Sequence, residues 1–236
     1  MTTFLSATHL TVAFGTRAVI RDLSFEVHVG DCLAIIGPNG CGKTVLLKAL
    51  LHLLPYAGEI RWDPAARLGY VPQKFAADQQ LPLHVRDLLD AKISFLKLPA
   101  TEVSSVSVEA DLTEELLDTN IGFLSGGQFQ KLLIAFAMLG HPNVLLIDEP
   151  TASLDELAEE RFYELLHQLQ VNRGMTIVLV SHDLSVVYRY ATTVLCLSKG
   201  KPCFGPPREV LTPEALQALY SAPAMYYGHT HDHQKE

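Results

Sequence analysis

The feature that most constrains this chain is the octapeptide GPNGCGKT at residues 37–44. It follows the apolar run CLAII and precedes a segment whose apolar residues recur at helical spacing. The run predicts a buried strand of a parallel sheet, and the spacing predicts a helix. The octapeptide itself fits G-x-x-x-x-G-K-[ST], a loop that wraps around phosphate groups between a strand and a helix. This order of elements predicts an α/β fold.

The residue types in this loop explain how it would bind a phosphate. Glycines let the backbone curve closely with its N–H groups pointing inward, and the helix N-terminus adds partial positive charge. Lys43 is predicted to reach the β- and γ-phosphates, and the Thr44 hydroxyl is predicted to bind Mg²⁺. The predicted phosphate-binding residues of the loop are Gly37, Pro38, Asn39, Gly40, Cys41, Gly42, Lys43 and Thr44.

A second buried strand is predicted within NVLLIDEP, and it ends in two acidic residues. Asp148, at the strand end, is predicted to bind Mg²⁺, and Glu149 to orient and deprotonate a water molecule. Phosphoryl transfer needs this division between one group for the metal and one for the nucleophile. An ordinary acidic strand end is the alternative, but it does not explain the pairing with the phosphate-binding loop upstream.

The segment FLSGGQFQK predicts a second glycine-rich helix start. Ser125 is a suitable N-cap, and Gln128 three residues later completes a capping box. The two intervening glycines would expose backbone N–H groups to an approaching anion. The segment therefore predicts a second anion site, this time without a lysine.

The segment resembles the signature motif of ABC-type ATPases, formed here by Leu124, Ser125, Gly126, Gly127 and Gln128. In that family two ATPase domains pack head to tail, and the signature of one faces the γ-phosphate held by the other. Since the chain has one copy of each motif, the resemblance implies ATP, Mg²⁺ and a dimer of two identical chains with two composite sites.

Further family motifs appear in the expected order over nearly the whole chain. By resemblance, Gln73 matches the Q-loop, contributing to catalysis and to Mg²⁺ binding, and Asp155 matches the D-loop. Phe14 takes the place of the aromatic residue that stacks on adenine. His182 matches the switch histidine. A histidine at a strand end is commonly structural, but the carboxyl edge of an α/β sheet binds ligands, which favours a catalytic role.

Two residues after the signature depart from the family pattern. Lys131 and Phe136 replace customary arginines. Lysine keeps the positive charge of arginine but cannot donate the two parallel hydrogen bonds of a guanidinium group. Phenylalanine has neither the charge nor these donors. We expect packing to differ at these positions and hydrolysis to survive, because neither position faces a phosphate.

Length and patterning predict one domain over residues 1–236, and the resemblance implies that it is an ABC ATPase domain. The predicted fold is α/β, a P-loop ATPase core with a mostly parallel sheet. Alternating residues up to about Val29 predict an antiparallel β subdomain, and residues 84–142 a helical subdomain that carries the signature. Within it, PATEVSSVSVEADLTEE is poor in helix formers and predicts a loop. TPEALQALY predicts a helix begun by Thr212 and Pro213.

The four cysteines include no CxxC pair. In a reducing compartment we expect free thiols. Cys196 and Cys203 are seven residues apart in a strand-like region, so a metal-binding pair is the alternative to buried, inert thiols.

Two functional classes remain after the motifs are assigned. One is the motor of a membrane transporter, and the other is a soluble ABC ATPase acting on nucleic acid or ribosomes. One compact cassette, no heptads and a net charge of −8 favour the transporter. No apolar run approaches the roughly 20 residues of a membrane-spanning helix. The expected location is the cytoplasmic face of the membrane, bound to a permease and served indirectly by an extracytoplasmic metal-binding protein.

The cargo is predicted from lineage alone. Segments around Gln73, and VLCLSKGKPCFGPPREVLTPEALQALY, resemble ATP-binding subunits of zinc and manganese uptake systems. Zinc is the first expectation, with manganese and ferrous iron open. The tail at residues 228–236 carries His229, His231 and His233, which share one face of an extended chain. It is either a weak zinc-sensing site or a solvated terminus.

Overall fold

The larger of two β-sheets has six strands in the computed structural model, which describes residues 2–73, 82–150, 154–198 and 202–220. In sheet order they are β5 Leu68–Val71, β6 Val144–Asp148, β7 Thr176–Val180, β3 Cys32–Ile36, β8 Thr193–Cys196 and β9 Cys203–Gly205. Only β9 pairs antiparallel with its neighbour; the other pairs are parallel. Every residue of β3, β6 and β7 is buried, as expected for central parallel strands covered on both faces.

The smaller sheet is antiparallel, as predicted. It contains β1 Thr3–Phe14, β2 Arg17–His28 and β4 Ala57–Trp62, in the order β2-β1-β4. Its buried face and the β3 strand of the larger sheet enclose helix α1, Lys43–Leu50, in one apolar cluster. The sequence did not predict β4, which joins this sheet from beyond α1.

Helices α2 to α5 lie between the two segments that form β5 and β6. They are α2 Val85–Leu96, α3 Thr101–Glu109, α4 Glu114–Leu117 and α5 Gly126–Met138. The loop predicted for PATEVSSVSVEADLTEE is therefore wrong, because α3 and α4 lie there. Val103, Val106 and Ala110 recur at helical spacing and are buried against the other helices. Their burial outweighs the modest helix-propensity cost of β-branched residues.

The remaining helices lie in the C-terminal part of the chain. They are α6 Glu156–Arg173, α7 Leu184–Tyr190, α8 Pro207–Val210 and α9 Pro213–Tyr220. The predicted start of α9 is confirmed, since the Ala215 N–H group donates to the Thr212 hydroxyl at 3.2 Å. Within the described ranges, no helix combines the length and the apolar character needed to cross a membrane.

A disulfide bond joins Cys196 and Cys203, so the expectation of free thiols at these two positions is wrong. The residues are direct partners in the antiparallel register of β8 and β9. Their Cα atoms are 4.8 Å apart, within the range that a disulfide spans. Cys32 and Cys41 are free. Burial raises the pKa of Cys32 to about 12 and also raises that of Cys41.

Candidate functional site

The phosphate-binding loop joins β3 to α1, as the sequence predicts, and its glycines adopt conformations that other residues rarely take. Gly37, Gly40 and Gly42 have φ values of 151°, 76° and 110°. A Cβ atom on Gly37 would lie 2.2 Å from the carbonyl oxygen of Leu197, and one on Gly42 would lie 2.8 Å from a Val19 methyl carbon. At Gly37 and Gly42 both the backbone angle and the close neighbours therefore favour glycine, and at Gly40 the backbone angle alone does.

The N-terminus of α1 carries no side-chain cap. Its N-cap is Gly42, and its first turn holds no acidic residue. The first N–H groups of a helix lack intrahelical acceptors, and the helix dipole makes this end partially positive. An anion is the natural partner for these groups.

The side chain of Lys43 lies within a buried network at this loop. It is 5% exposed, and its Nζ donates to the Gly37 carbonyl oxygen at 3.0 Å. The same Nζ lies 3.1 Å from Glu149 Oε1, while Glu149 Oε2 accepts from Gln73 Nε2 at 2.8 Å. The predicted lysine, general base and Q-loop residue therefore form one chain of contacts. A phosphate must compete with Glu149 for Lys43.

Thr44 and Asp148 form a second pair beside this network. The Thr44 hydroxyl donates to Asp148 Oδ1 at 3.0 Å. Asp148 is 1% exposed, and burial raises its pKa although Thr44 partly offsets this effect. Burial and the nearby Asp148 charge raise the pKa of Tyr70 to about 12. Buried oxygen donors beside a phosphate-binding loop suit a hard divalent cation.

His182 lies at the same edge of the sheet, although it is exposed. It follows β7, which pairs with β6 on one side and with β3 on the other. The carboxyl ends of these three strands lead to Asp148, His182 and the phosphate-binding loop, respectively. The topology thus brings the loop to the same sheet edge as Asp148 and His182, which lie more than a hundred residues further along the chain.

The signature segment Leu124–Gln128 begins α5, and the predicted capping box is confirmed. The Gln128 N–H group donates to Ser125 Oγ at 3.3 Å, and the Ser125 N–H group donates to Gln128 Oε1 at 2.9 Å. Ser125 and Gly126 are exposed, and a Cβ on Gly127 would lie 3.3 Å from the Ala158 methyl group. This helix start is open to an approaching group and is stabilised by its own side chains.

Asp155, the predicted D-loop residue, caps α6. Its Oδ1 accepts from the Ala158 N–H group at 2.8 Å. Since Ala158 also packs beside Gly127, the starts of α5 and α6 are neighbours. The structure gives Asp155 a local structural contact, and its role toward a second chain stays a prediction.

A cavity beside the loop contains residues that the sequence analysis missed. It measures about 430 Å³ and lies between β2 and the loop, with Arg17, Val19, Pro38, Gly40, Cys41 and Leu197 in its lining. Phe14, the predicted adenine-stacking residue, is 52% exposed and is not in this lining, although Arg17 is its register partner. Arg17 and Val19 could have been predicted to line this cavity only from the register of the β1–β2 hairpin. The sequence did not determine that register.

The two departures from the family pattern have definite contacts. Lys131 pairs with Asp111, which follows α3. Phe136 lies beneath the ammonium group of Lys92, at 4.2 Å from the ring centroid, and its carbonyl oxygen accepts a hydrogen bond from the same group. Burial lowers the pKa of Lys92 to about 8. Both residues therefore link α5 to neighbouring parts of the helical region.

The predicted tail residues His229, His231 and His233 lie outside the described residues. The single domain predicted over residues 1–236 and the bounds predicted for its helical subdomain, 84–142, also stay predictions. At the sheet edge, Glu149 contacts both Lys43 and Gln73, and Thr44 contacts Asp148.

Comparison with known proteins gives a consistent picture. A family model described as "ABC transporter" matches residues 20–152. The chain is 39% identical over 222 residues to a zinc import ATP-binding protein ZnuC of Cereibacter sphaeroides, covering 92% of this chain and 88% of that protein. It is 35% identical to the protein of that name from Rickettsia conorii, covering 93% of both chains.

A solved structure supports the same grouping. It is an inward-facing conformation of a metal-chelate type ABC transporter, at 31% sequence identity and a TM-score of 0.86. The match covers 96% of this chain and 94% of the other. The resemblance first seen in the motifs thus extends to the sequence as a whole and to the fold: the chain belongs to the ABC transporter family, as an ATP-binding subunit of the ABC ATPase type.

Proposed function

We propose that this chain is the ATP-hydrolysing motor of a zinc importer and acts as a head-to-tail pair beneath an integral membrane permease. The observation that carries the cargo is similarity to zinc import proteins at 35–39% identity over 92% of the chain or more. The metal-chelate type transporter among the solved structures supports the same class of cargo. An extracytoplasmic zinc-binding protein would deliver the metal, and the chain would bind the cytoplasmic side of the permease.

The sheet-edge network supports a specific division of labour. Lys43 leaves Glu149 and binds the β- and γ-phosphates, because phosphate offers it more negative charge than one carboxylate. The freed Glu149 then orients the attacking water and accepts its proton. Gln73, already bonded to Glu149, holds that carboxylate in place. His182 stabilises the γ-phosphate or the water at the neighbouring strand end.

The donor set beside the loop fits Mg²⁺. Thr44, Asp148 and the amide oxygen of Gln73 would hold it. No three His, Cys, Asp or Glu side chains converge on a metal site in the described part of the chain. A magnesium ion held by Thr44, Asp148 and Gln73 would take its remaining ligands from phosphates and water. When bound, the ion would neutralise the charge that develops on the transferred phosphoryl group.

The signature motif would complete the site of the second copy. Its exposed, lysine-free helix start offers N–H groups and a serine hydroxyl to a phosphate held elsewhere. Its capping box forms within one chain, so the motif needs no ligand to hold its shape. The dimer thus supplies Lys43 from one copy and Ser125 from the other.

Metal-dependent growth tests the cargo directly. Cells lacking this chain should grow poorly when zinc is chelated and recover with added zinc, whereas manganese or iron should not restore growth. Complementation with the unmodified chain should restore growth, and complementation with Lys43→Ala should not. If manganese or iron restored growth and zinc did not, the restoring metal would be the cargo instead of zinc.

The tail at residues 228–236 supports a second proposal, that it senses zinc and modulates ATP hydrolysis. Three imidazoles at alternate positions offer ligands of the type that zinc prefers, but ordering a short tail limits the affinity. Deleting residues 229–236 should preserve basal ATPase activity and remove inhibition by micromolar zinc. Equal zinc binding by calorimetry with and without these residues would identify the tail as a solvated terminus.

A further inference from the structure

His182 is carried by a short backbone segment that is anchored on both sides. Ser181, before it, is buried, and its N–H group donates to the Ile35 carbonyl oxygen of β3 at 3.2 Å. Asp183, after it, caps α7, since its Oδ1 accepts from the Ser185 N–H group at 2.7 Å. His182 itself is exposed. Because packing does not enclose the imidazole, the path of this backbone determines where the ring can lie.

The Ser181 side chain closes this segment into a turn around His182. Its Oγ accepts a hydrogen bond from the Asp183 N–H group at 3.1 Å. Serine hydroxyls can bond a backbone group two residues further on and so fix the turn between the two. Ser181 is buried at the strand end, so water does not readily replace its hydroxyl as the acceptor. Without the hydroxyl, the Asp183 N–H group would lose this partner and the turn would be held less firmly.

The same end of β7 also holds the backbone of other parts of the site. The Val180 carbonyl oxygen accepts a hydrogen bond from the Glu149 N–H group at 3.3 Å. Glu149 has a φ value of 41°, which residues with a Cβ atom rarely adopt, so this bond supports an unfavourable backbone conformation. Ile35, the acceptor for the Ser181 N–H group, belongs to β3, which runs into the phosphate-binding loop. Ser181 therefore joins the turn to the strands that hold the proposed general base and the loop.

We propose that Ser181 is a positioning residue for ATP hydrolysis, whose hydroxyl fixes the turn that carries His182 and keeps the imidazole at the catalytic edge of the sheet. Ser181 acts through His182 and does not itself contact the nucleotide. This inference rests on the catalytic role proposed above for His182. Loss of the hydroxyl should therefore slow hydrolysis more than it weakens ATP binding.

Replacing Ser181 with alanine tests the hydroxyl and leaves the rest of the turn in place. Ser181→Ala should lower kcat about tenfold, the effect of leaving one N–H group without its acceptor, and change the KM for ATP less than about twofold. Ser181→Cys keeps nearly the size of the side chain but offers only a weak acceptor. It should lower kcat in the same way, and it takes the place of Ser181→Ala if that variant does not fold.

The matched control is Ser185→Ala, which removes a different hydrogen bond from the same turn. Ser185 Oγ donates to Asp183 Oδ1 at 2.7 Å, and this bond does not span His182. The Ser185 N–H group still donates to Asp183 after the substitution, so the cap of α7 persists. The kcat of Ser185→Ala should equal that of the unmodified protein.

A double-mutant cycle with His182 separates a positioning role from a purely structural one. His182→Ala alone should lower kcat at least about 10²-fold, as expected when a group that stabilises the transition state is lost. In the His182→Ala background, Ser181→Ala should change the rate less than about twofold, because the group through which it acts is absent. Single-turnover hydrolysis of radiolabelled ATP keeps these low rates measurable.

The outcomes separate this inference from the function on which it rests. An unchanged kcat in Ser181→Ala, an equal loss in Ser185→Ala, or a further tenfold loss in the His182→Ala background would overturn the role of Ser181 alone. A normal kcat in His182→Ala would show that the catalytic role proposed for His182 is wrong, and the role of Ser181 would be wrong with it. Lys43→Ala should lose ATP binding and tests the nucleotide site separately.

Discussion

The starts of α1 and α5 both follow glycine-rich segments, but they are built in opposite ways. The α1 start is enclosed and has no side-chain cap, and its lysine is 5% exposed. The α5 start is exposed, and Ser125 and Gln128 cap each other's N–H groups. Phe123, just before it, is 85% exposed.

The difference indicates how each helix start is used. At α1 the chain leaves N–H groups without side-chain acceptors and places Lys43, Thr44 and Asp148 nearby. A bound anion would therefore supply the missing acceptors. At α5 the chain satisfies its own N–H groups in part and adds no cation. The first start is arranged to hold a phosphate by itself. In the proposed dimer, the second meets a phosphate that is held by another chain.

The largest expected effect is at the first start. Glu149→Gln should reduce kcat about 10²–10⁴-fold, because it removes the proton acceptor while keeping the shape of the side chain. ATP binding should persist, and an ATP-bound dimer should accumulate on size-exclusion chromatography. Glu164→Gln, at an exposed position of α6, is the control and should be silent. Near-normal turnover in Glu149→Gln would show that another group is the base.

Heterodimers test whether the two helix starts act in different chains. Two kinds of mixed dimer should differ by at least about tenfold in ATPase activity. Differently tagged protomers allow only mixed dimers to be purified. A Lys43→Ala protomer paired with a Gly127→Asp protomer keeps one intact composite site and should hydrolyse ATP measurably. A protomer with both changes paired with an unmodified protomer keeps none.

Equal activity of the two purified heterodimers would contradict the head-to-tail arrangement. The charge in Gly127→Asp repels a phosphate, yet an acidic residue at a helix N-terminus does not disfavour the helix itself. Gly127→Ala is the matched control, because it adds the Cβ near Ala158 without the charge.

Removing the α5 cap should have a smaller effect, on stability. Ser125→Ala should lower the free energy of unfolding by about 1 kcal/mol, the usual cost of a lost N-cap, or about 2–4 °C in melting temperature. Ser125→Asp retains a capping oxygen and should melt near the unmodified protein. A melting temperature unaffected by Ser125→Ala would mean that the cap does not stabilise α5.

The smallest expected effect has the opposite sign and lies at the α1 site. Burial raises the pKa of Asp148 above its ordinary value of 3.8, so the folded state disfavours the carboxylate at neutral pH. Asp148→Asn removes this cost and keeps an acceptor for Thr44, so without Mg²⁺ and nucleotide it should stabilise the fold by up to about 1 kcal/mol.

The pH dependence checks the sign of this effect. A carboxyl whose folded pKa is raised destabilises the fold above its unfolded pKa and ceases to do so as it becomes protonated. The advantage of Asp148→Asn should therefore be greatest near pH 7 and shrink toward pH 4. Asp155→Asn, an exposed cap that asparagine can also form, is the control. Lower stability of Asp148→Asn at pH 7 would contradict this account.

The sequence by itself determined the elements whose causes are local. The β3 run, the glycine loop, the start of α1 and the capping box of α5 each depend on residues within a few positions of one another. Strand ends with acidic residues predicted which groups would meet, because parallel strands share one carboxyl edge. The ABC ATPase family could be identified from the sequence because its motifs are also short and local.

The tertiary structure decided the features that depend on distant neighbours. Burial of Val103 and Val106 turned a segment of weak helical propensity into α3. The register of β8 and β9 paired Cys196 with Cys203, and the fold of the C-terminal segment packed Leu216 and Leu219 in one cluster with β3. Propensity and spacing act along the chain, whereas burial, register and close approach act across it. The sequence therefore specified the parts of the site, and only the packed fold specified what holds them in place.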